Sequence, residues 1–144
     1  DSMLNFFKNK PTTLQKPKTL GQLGEEYAQE EYKKLGYKII AKNEYNKKGK
    51  RLGEIDFIAK NKDAIIFVEV KTRTEGVDKF GKGVESVNIY KQQKILRAVK
   101  MYFFRNQSYL TLKPQIDVCL LEYKGIDKSF KPATIISNAV EDWN

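Results

Sequence analysis

Gly53-Glu54-Ile55-Asp56-Phe57-Ile58-Ala59, then Lys60-Asn61-Lys62-Asp63, then Ala64-Ile65-Ile66-Phe67-Val68-Glu69-Val70-Lys71: the fold of this chain turns on that stretch. Two runs rich in β-branched and aromatic residues flank a short polar break, which predicts an antiparallel hairpin with strands over 51–59 and 64–71. Side chains alternate across a strand, so Glu69 and Lys71 share one face while Val68 and Val70 occupy the other. Acid and base on one face of an otherwise apolar strand need an explanation, because interiors seldom take charge. Asp56 joins them only if the register allows it. A two-residue turn sets Asp56 opposite Phe67 with Glu69 on the diagonal, a four-residue turn sets it directly opposite Glu69, and an odd turn separates the two acids.

Working outward, a helix is predicted from Thr19 as N-cap, with Leu20, Leu23, Tyr27, Ala28 and Leu35 as its apolar positions and Gly36 as its stop. A strand over Tyr37–Ala41 runs into the polar turn Asn46–Lys50. Beyond the hairpin, residues 74–83 read as a loop with Gly76, Gly81 and Gly83, followed by a long helix over 84–105. Its stripe is Val84, Val87, Ile95, Ala98, Val99 and Tyr102. A strand over Gln115–Tyr123 follows Pro114, and a short one falls near 133–137. The order helix, three strands, helix, one or two strands predicts an α/β fold, a mixed sheet with helices packed against it. Residues 19–144 form one domain in this reading. Residues 1–18 read as a flexible basic arm, with Asp1-Ser2 ahead of Met3 taken as an expression remnant.

Composition narrows the chemistry. The 144 residues include no histidine and a single cysteine, Cys119. Without histidine there is no Ser-His-Asp triad, no Cys-His pair and no imidazole-bound metal, and one cysteine makes neither an internal disulfide nor a thiolate zinc site. Hydrolytic chemistry must then run on carboxylates, lysine and a hard metal ion. A net charge of +9, from 27 basic and 18 acidic residues, favours a polyanionic partner. No apolar run approaches the ~20 residues of a membrane span, so the expectation is a cytoplasmic protein without a membrane partner.

Two carboxylates on one face repel, and a proton or a divalent cation relieves them. Oxygen ligands favour Mg²⁺ or Mn²⁺, which activate water and neutralise a scissile phosphate. Lys71 beside them can orient that water or stabilise developing negative charge. The competing reading is plain: a surface ion pair of Glu69 with Lys71 or Arg73 on an exposed sheet face.

An Asp followed by Glu-x-Lys on the next strand resembles the signature of PD-(D/E)XK nucleases, which have a restriction-endonuclease-like core. More of the chain fits in order: Gly21-x-x-Gly24-Glu25-x-x-Ala28, Gly36-Tyr37, Asn43, Gly53-Glu54-Ile55-Asp56, Phe67–Arg73, Phe80-Gly81, Lys91 and Asp117-Val118. This series resembles the small YraN-like bacterial family of predicted endonucleases, distantly similar to archaeal Holliday junction resolvases. The resemblance runs from about Gly21 to Ala139, departing at Ile116 and the residue before it, where the family has Phe and Arg. It implies metal ligation by Asp56 and Glu69 with the Val70 carbonyl as a third ligand, Lys71 as the catalytic lysine, and Glu25 as a helix acid near the metal. It also implies cleavage of DNA, with branched DNA among the candidate substrates, and a homodimer.

For several residues two readings stand side by side. Glu25 lies on the helix face of Gly21, Ala28 and Tyr32, yet a solvated acid in the first turns is also favoured by the helix dipole. Lys91 interrupts the apolar stripe of the second helix and either snorkels to solvent or reaches phosphate, with Gln92 a weaker candidate for the same role. Arg73, Lys79 and Lys82 are placed to touch the DNA backbone, or belong to an ordinary solvated loop. Glu54 is a reserve ligand. The leading expectation is a metal-dependent DNA endonuclease. Against it stand a nucleic-acid-binding module that keeps the fold without cutting and a scaffold for partner proteins.

Overall fold

A computed structural model of the chain describes residues 16–42, 55–76 and 89–139, side chains excepted at 89–91. Helix α1 spans Leu20–Lys34. It starts where Thr19 and Gln22 close a capping box: Thr19 Oγ1 accepts from the Gln22 N–H at 3.2 Å, and Gln22 Oε1 accepts from the Thr19 N–H at 2.9 Å. It stops at Gly36, whose φ of 95° suits glycine at C′. Strands β1 (Lys38–Lys42), β2 (Phe57–Lys60) and β3 (Ala64–Thr74) follow. Helix α2 (Ile89–Arg105), a 3-10 turn (Gln107–Thr111), and strands β4 (Lys113–Lys124), β5 (Ser129–Phe130) and β6 (Thr134–Ile136) complete the described order.

Among the described residues these strands form one mixed sheet in the order β1-β2-β3-β4-β5, with β6 also paired to β4. The β3–β4 pair is parallel and the others are antiparallel. The β2–β3 hairpin closes through Asn61, whose Oδ1 accepts from the N–H groups of Asp63 and Ala64 at 2.9 and 2.8 Å. Lys60 faces Ile65, so four residues make the connection, one of the two even lengths the sequence left open.

Each face of the sheet has its own core. Ala28 and Tyr32 of α1 pack with Phe57, Ala59, Ile66, Val68, Cys119 and Leu121. Ile95 and Val99 of α2 pack with Ile58, Ile65, Phe67 and Ile116 on the other side. β3 is therefore covered on both faces, which accounts for its nearly unbroken apolar run.

Several details differ from the sequence reading. Leu23 and Leu35, expected on the buried stripe of α1, are exposed. The inward face is instead Gly24, Ala28, Gln29 and Tyr32, because small residues let the helix approach the sheet closely. A Cβ at Gly24 would collide with Thr72 Oγ1 and lie 3.2 Å from Thr72 Cβ. Gly24→Ala is accordingly expected to destabilise the protein by up to about 2 kcal/mol, the overpacking cost less the ~1 kcal/mol by which alanine favours a helix. Denaturant unfolding would measure this, and Thr72→Ala in the same chain should restore most of the loss. The sequence reading also left unassigned the 3-10 turn and β5 with its preceding turn, and it ran the second strand through 55 and 56, which precede β2.

Candidate functional site

β3 carries the candidate site, and its alternation does what the sequence predicted. Val68 lies in the α1 core, Phe67 in the α2 core, and Glu69 and Lys71 share the parity of Phe67. Asp56 lies just ahead of β2. Its N–H donates to the Val68 carbonyl at 2.8 Å, although Phe57 is the residue paired with Val68. Two consecutive residues thus oppose one, as in a bulge, and the backbone turns so that the Asp56 side chain lies along β3. Asp56 Oδ2 accepts from the Val70 N–H at 2.6 Å, a length suited to a charge-assisted bond. Backbone and carboxylate of Asp56 therefore reach β3 on either side of Glu69.

Burial separates this arrangement from a surface ion pair. Asp56, Glu69 and Lys71 are 2%, 4% and 9% exposed, so the reading of an exposed sheet face does not hold. Two acids and an ammonium group withdrawn from water carry a desolvation cost of several kcal/mol per ion, which mutual attraction offsets only in favourable geometry. The donor set suits a hard cation. Among the described residues no three Asp, Glu, His or Cys side chains gather closely enough to hold an ion by themselves. Mg²⁺ does not need such a cage, since one or two carboxylates with waters and substrate oxygens are its usual shell. Asp56 and Glu69, with the Val70 carbonyl, fit that pattern.

The remaining expected residues are more scattered. Glu25 is half-buried in α1, next to Gly24, whose neighbour Thr72 follows Lys71 on β3, but it completes no group of three acids. Arg73 is half-buried on the face of Glu69 and Lys71, and its guanidinium donates to the Thr72 carbonyl at 3.1 Å. Gln92 is half-buried in the first turns of α2. Lys79, Lys82 and the reserve ligand Glu54 lie outside the described residues, as does the Lys91 side chain.

Residues 24–121, well over half the chain, match the family described as "Uncharacterised protein family UPF0102". The chain belongs to that family. It is 42% identical over 101 residues to a UPF0102 protein of Caldanaerobacter subterraneus subsp. tengcongensis, covering 70% of this chain and 77% of the relative. A UPF0102 protein of Acetivibrio thermocellus is 40% identical over 121 residues, covering 83% and 88%. One from Caldicellulosiruptor saccharolyticus is 38% identical over 120 residues, covering 83% and 95%. The UPF0102 match takes in all of Asp56, Glu69, Val70 and Lys71.

Sequence reasoning gave no role to a third buried acid of this UPF0102 chain. Asp117 on β4 is paired with Val68 and faces α1, away from Glu69. Its Oδ2 accepts from the Tyr32 hydroxyl at 2.7 Å, and its Oδ1 accepts from Gln115 Nε2 at 2.8 Å and the Asn138 N–H at 3.4 Å. These bonds tie α1, β4 and the turn after β6 together, which is a structural task. The available signal was a tyrosine and an acid inside apolar patterns, but their pairing spans elements that sequence periodicity cannot connect.

Burial pushes the neighbouring Cys119 thiol up from 9 to about 12, with Glu31 and Asp117 adding to the effect. Burial, then the bond to Asp117, raises Tyr32 above its ordinary 10. Both groups keep their protons in the folded state at pH values where the unfolded chain releases them. The stability they contribute is therefore complete below about pH 9 and is lost above it, at about 1.4 kcal/mol per pH unit for each group in its window. Urea unfolding between pH 7 and 11 should show that decline, and Cys119→Ala should flatten its first part whatever its effect at neutral pH.

Proposed function

We propose that this UPF0102 protein is a Mg²⁺- or Mn²⁺-dependent DNA endonuclease with a PD-(D/E)XK-type core. The observation that carries this reading is the burial of Asp56, Glu69 and Lys71 around one hairpin, with Asp56 held on the Val70 N–H at 2.6 Å. A binding module has no use for two buried carboxylates and a lysine, whereas phosphodiester hydrolysis uses all three. The net charge of +9 suits a polyanionic substrate.

Asp56, Glu69 and the Val70 carbonyl would hold the ion, which would supply Lewis acidity to the scissile phosphate and lower the pKa of an attacking water. The Lys71 ammonium group orients that water and stabilises the charge that grows on the phosphoryl oxygens. Water adds to phosphorus, the bond to one ester oxygen breaks, and the products are a terminal phosphate and a hydroxyl. The Val70 N–H fixes the Asp56 carboxylate before substrate arrives, so the site needs little rearrangement to act. Glu25 takes part in this reading as an outer acid near the end of β3, and Arg73 as a contact to phosphate.

The test is incubation of the purified protein with Mg²⁺, then Mn²⁺, on linear, nicked, flapped and four-way-junction DNA, beside a Glu69→Ala Lys71→Ala double variant. Metal-dependent cutting that disappears in the double variant supports the proposal and identifies the preferred structure. Binding without cutting under both metals would instead assign the chain to non-catalytic nucleic-acid-binding modules.

A further inference from the structure

Residues 86–116 contain six cations, Lys91, Lys94, Arg97, Lys100, Arg105 and Lys113, and not one acid. Four basic side chains on other elements are ion-paired: Lys18 with Glu26, Lys33 with Glu30, Lys34 with Glu31, and Lys131 with Glu75 and Glu122. Helix α2 carries no acid in its own sequence. Lys94, Arg97, Lys100 and Arg105 are all exposed, spaced so that they run along the helix face turned away from Ile95 and Val99. The helix dipole accounts for Arg105 in the last turn, but its influence fades before Lys94 and Arg97.

Two apolar side chains lie within this basic stripe. Met101 is exposed, and Phe104 is 73% exposed although Tyr102 and Phe103 beside it pack on Phe67. An exposed aromatic ring among cations suits a nucleobase, with phosphates on the cations and the ring against the base face. The stripe from Lys94 to Arg105 is about 16 Å long, the rise of about five base pairs. It also leads to the candidate site. The C-terminal half of α2 lies over Phe67 and the start of β3, so the helix begins toward Glu69 and Lys71.

We propose that the exposed face of α2, from Lys94 to Arg105, docks a nucleic-acid strand that runs on toward the candidate site, with Phe104 stacked on an unpaired base at the end of the stripe away from the cut. This rests on the nuclease reading for the choice of partner and adds to it a preference for DNA with a break in pairing.

The experiment is fluorescence anisotropy with the full chain in chelator, so that no cutting occurs. The probes are a fully paired duplex of about 20 base pairs and the same duplex with a central unpaired bubble, at about 50–200 mM salt. An Arg97→Gln Lys100→Gln Arg105→Gln variant is expected to flatten the salt slope by about 2–3 and to weaken both probes tenfold or more. Phe104→Ala should weaken the bubble probe roughly five- to a hundredfold and leave the paired duplex unchanged. Lys33→Gln Lys34→Gln, which removes ion-paired cations from α1, should change little. Equal losses in that control would mean that net charge alone binds DNA, and the proposal would fall. It would also fall if Phe104→Ala weakened both probes alike, or if it altered only sedimentation, which would make the face a contact between copies of this chain. Because these readouts need no metal, inactivity in the cutting assay leaves them intact, and their failure leaves the cutting assay intact.

Discussion

Replacing Glu69 with glutamine is expected to leave the protein folded and to lower metal-dependent cleavage about a thousandfold or more. Glutamine keeps the length and the hydrogen-bonding oxygen of glutamate but removes the charge. If the ion supplies about 4 kcal/mol of charge stabilisation in the transition state, its loss corresponds to a factor of about a thousand. Stability should move differently. Glu69 on β3 and Asp56 just ahead of β2 are both buried, and in chelator two neighbouring carboxylates repel each other. Glu69→Gln should therefore unfold no more easily than the parent without metal. With Mg²⁺ at a hundred times its dissociation constant, the parent should gain about 2.7 kcal/mol and the variant should gain almost nothing. A variant that cut as fast as the parent, with the same response to Mg²⁺, would place the ion elsewhere and remove Glu69 from the site. Asp56→Asn is the companion variant, because asparagine still offers an oxygen to the Val70 N–H while losing its charge.

The largest effect on stability is expected from Phe67→Ala. Phe67 is fully buried and meets Tyr102 and Phe103 of α2 edge-on, with ring centroids 5.8 and 5.6 Å apart. Tyr102 in turn stacks on Tyr109 of the 3-10 turn at 6.3 Å with the rings 3° from parallel. Phe67 thus anchors the far half of α2 and, through Tyr102, the connection to β4. Truncation removes roughly 3–5 kcal/mol, a large share of the ~5–15 kcal/mol that holds a domain of this size folded. The melting temperature should fall by roughly 10–15 °C. If denaturant unfolding showed less than about 1 kcal/mol, α2 would not depend on this contact and the packing described for that face would be wrong.

How much of this was legible beforehand depended on whether a feature was local. The Thr19 cap and the Gly36 stop of α1 were readable because both are written within one turn of the helix ends. The hairpin was readable from two apolar runs around Asn61, and strand alternation put Glu69 and Lys71 on one face. The sequence could not choose between turn lengths, since both even turns satisfy the same pattern. The Asn61 side chain selects the four-residue one by accepting from two backbone N–H groups. Nor could it see that Asp56 would lean on Val70 through a local irregularity, because a bulge leaves no periodic trace. The exposed Leu23 and Leu35 mark a similar limit: hydrophobicity suggested a broad leucine stripe, whereas close approach to Thr72 favoured Gly24 and Ala28. The Tyr32–Asp117 bond joins residues far apart in the chain, which no window of local pattern can span.

The parallel pairing of β3 with β4 also sets the order of assembly. Every pair along it, from Ala64 with Lys113 to Thr74 with Tyr123, joins residues roughly fifty positions apart, a separation associated with slow folding. The hairpin that brings Asp56 beside Glu69 closes over only four residues. During synthesis the two acids can meet while the chain that will become α2 and β4 is still being made. The hairpin carrying Asp56 and Glu69 can then close before β4 is available, and the shielding of the two acids from water comes later. On the proposed reading, a divalent cation present during refolding would meet its two carboxylates on that hairpin before α2 and β4 cover them.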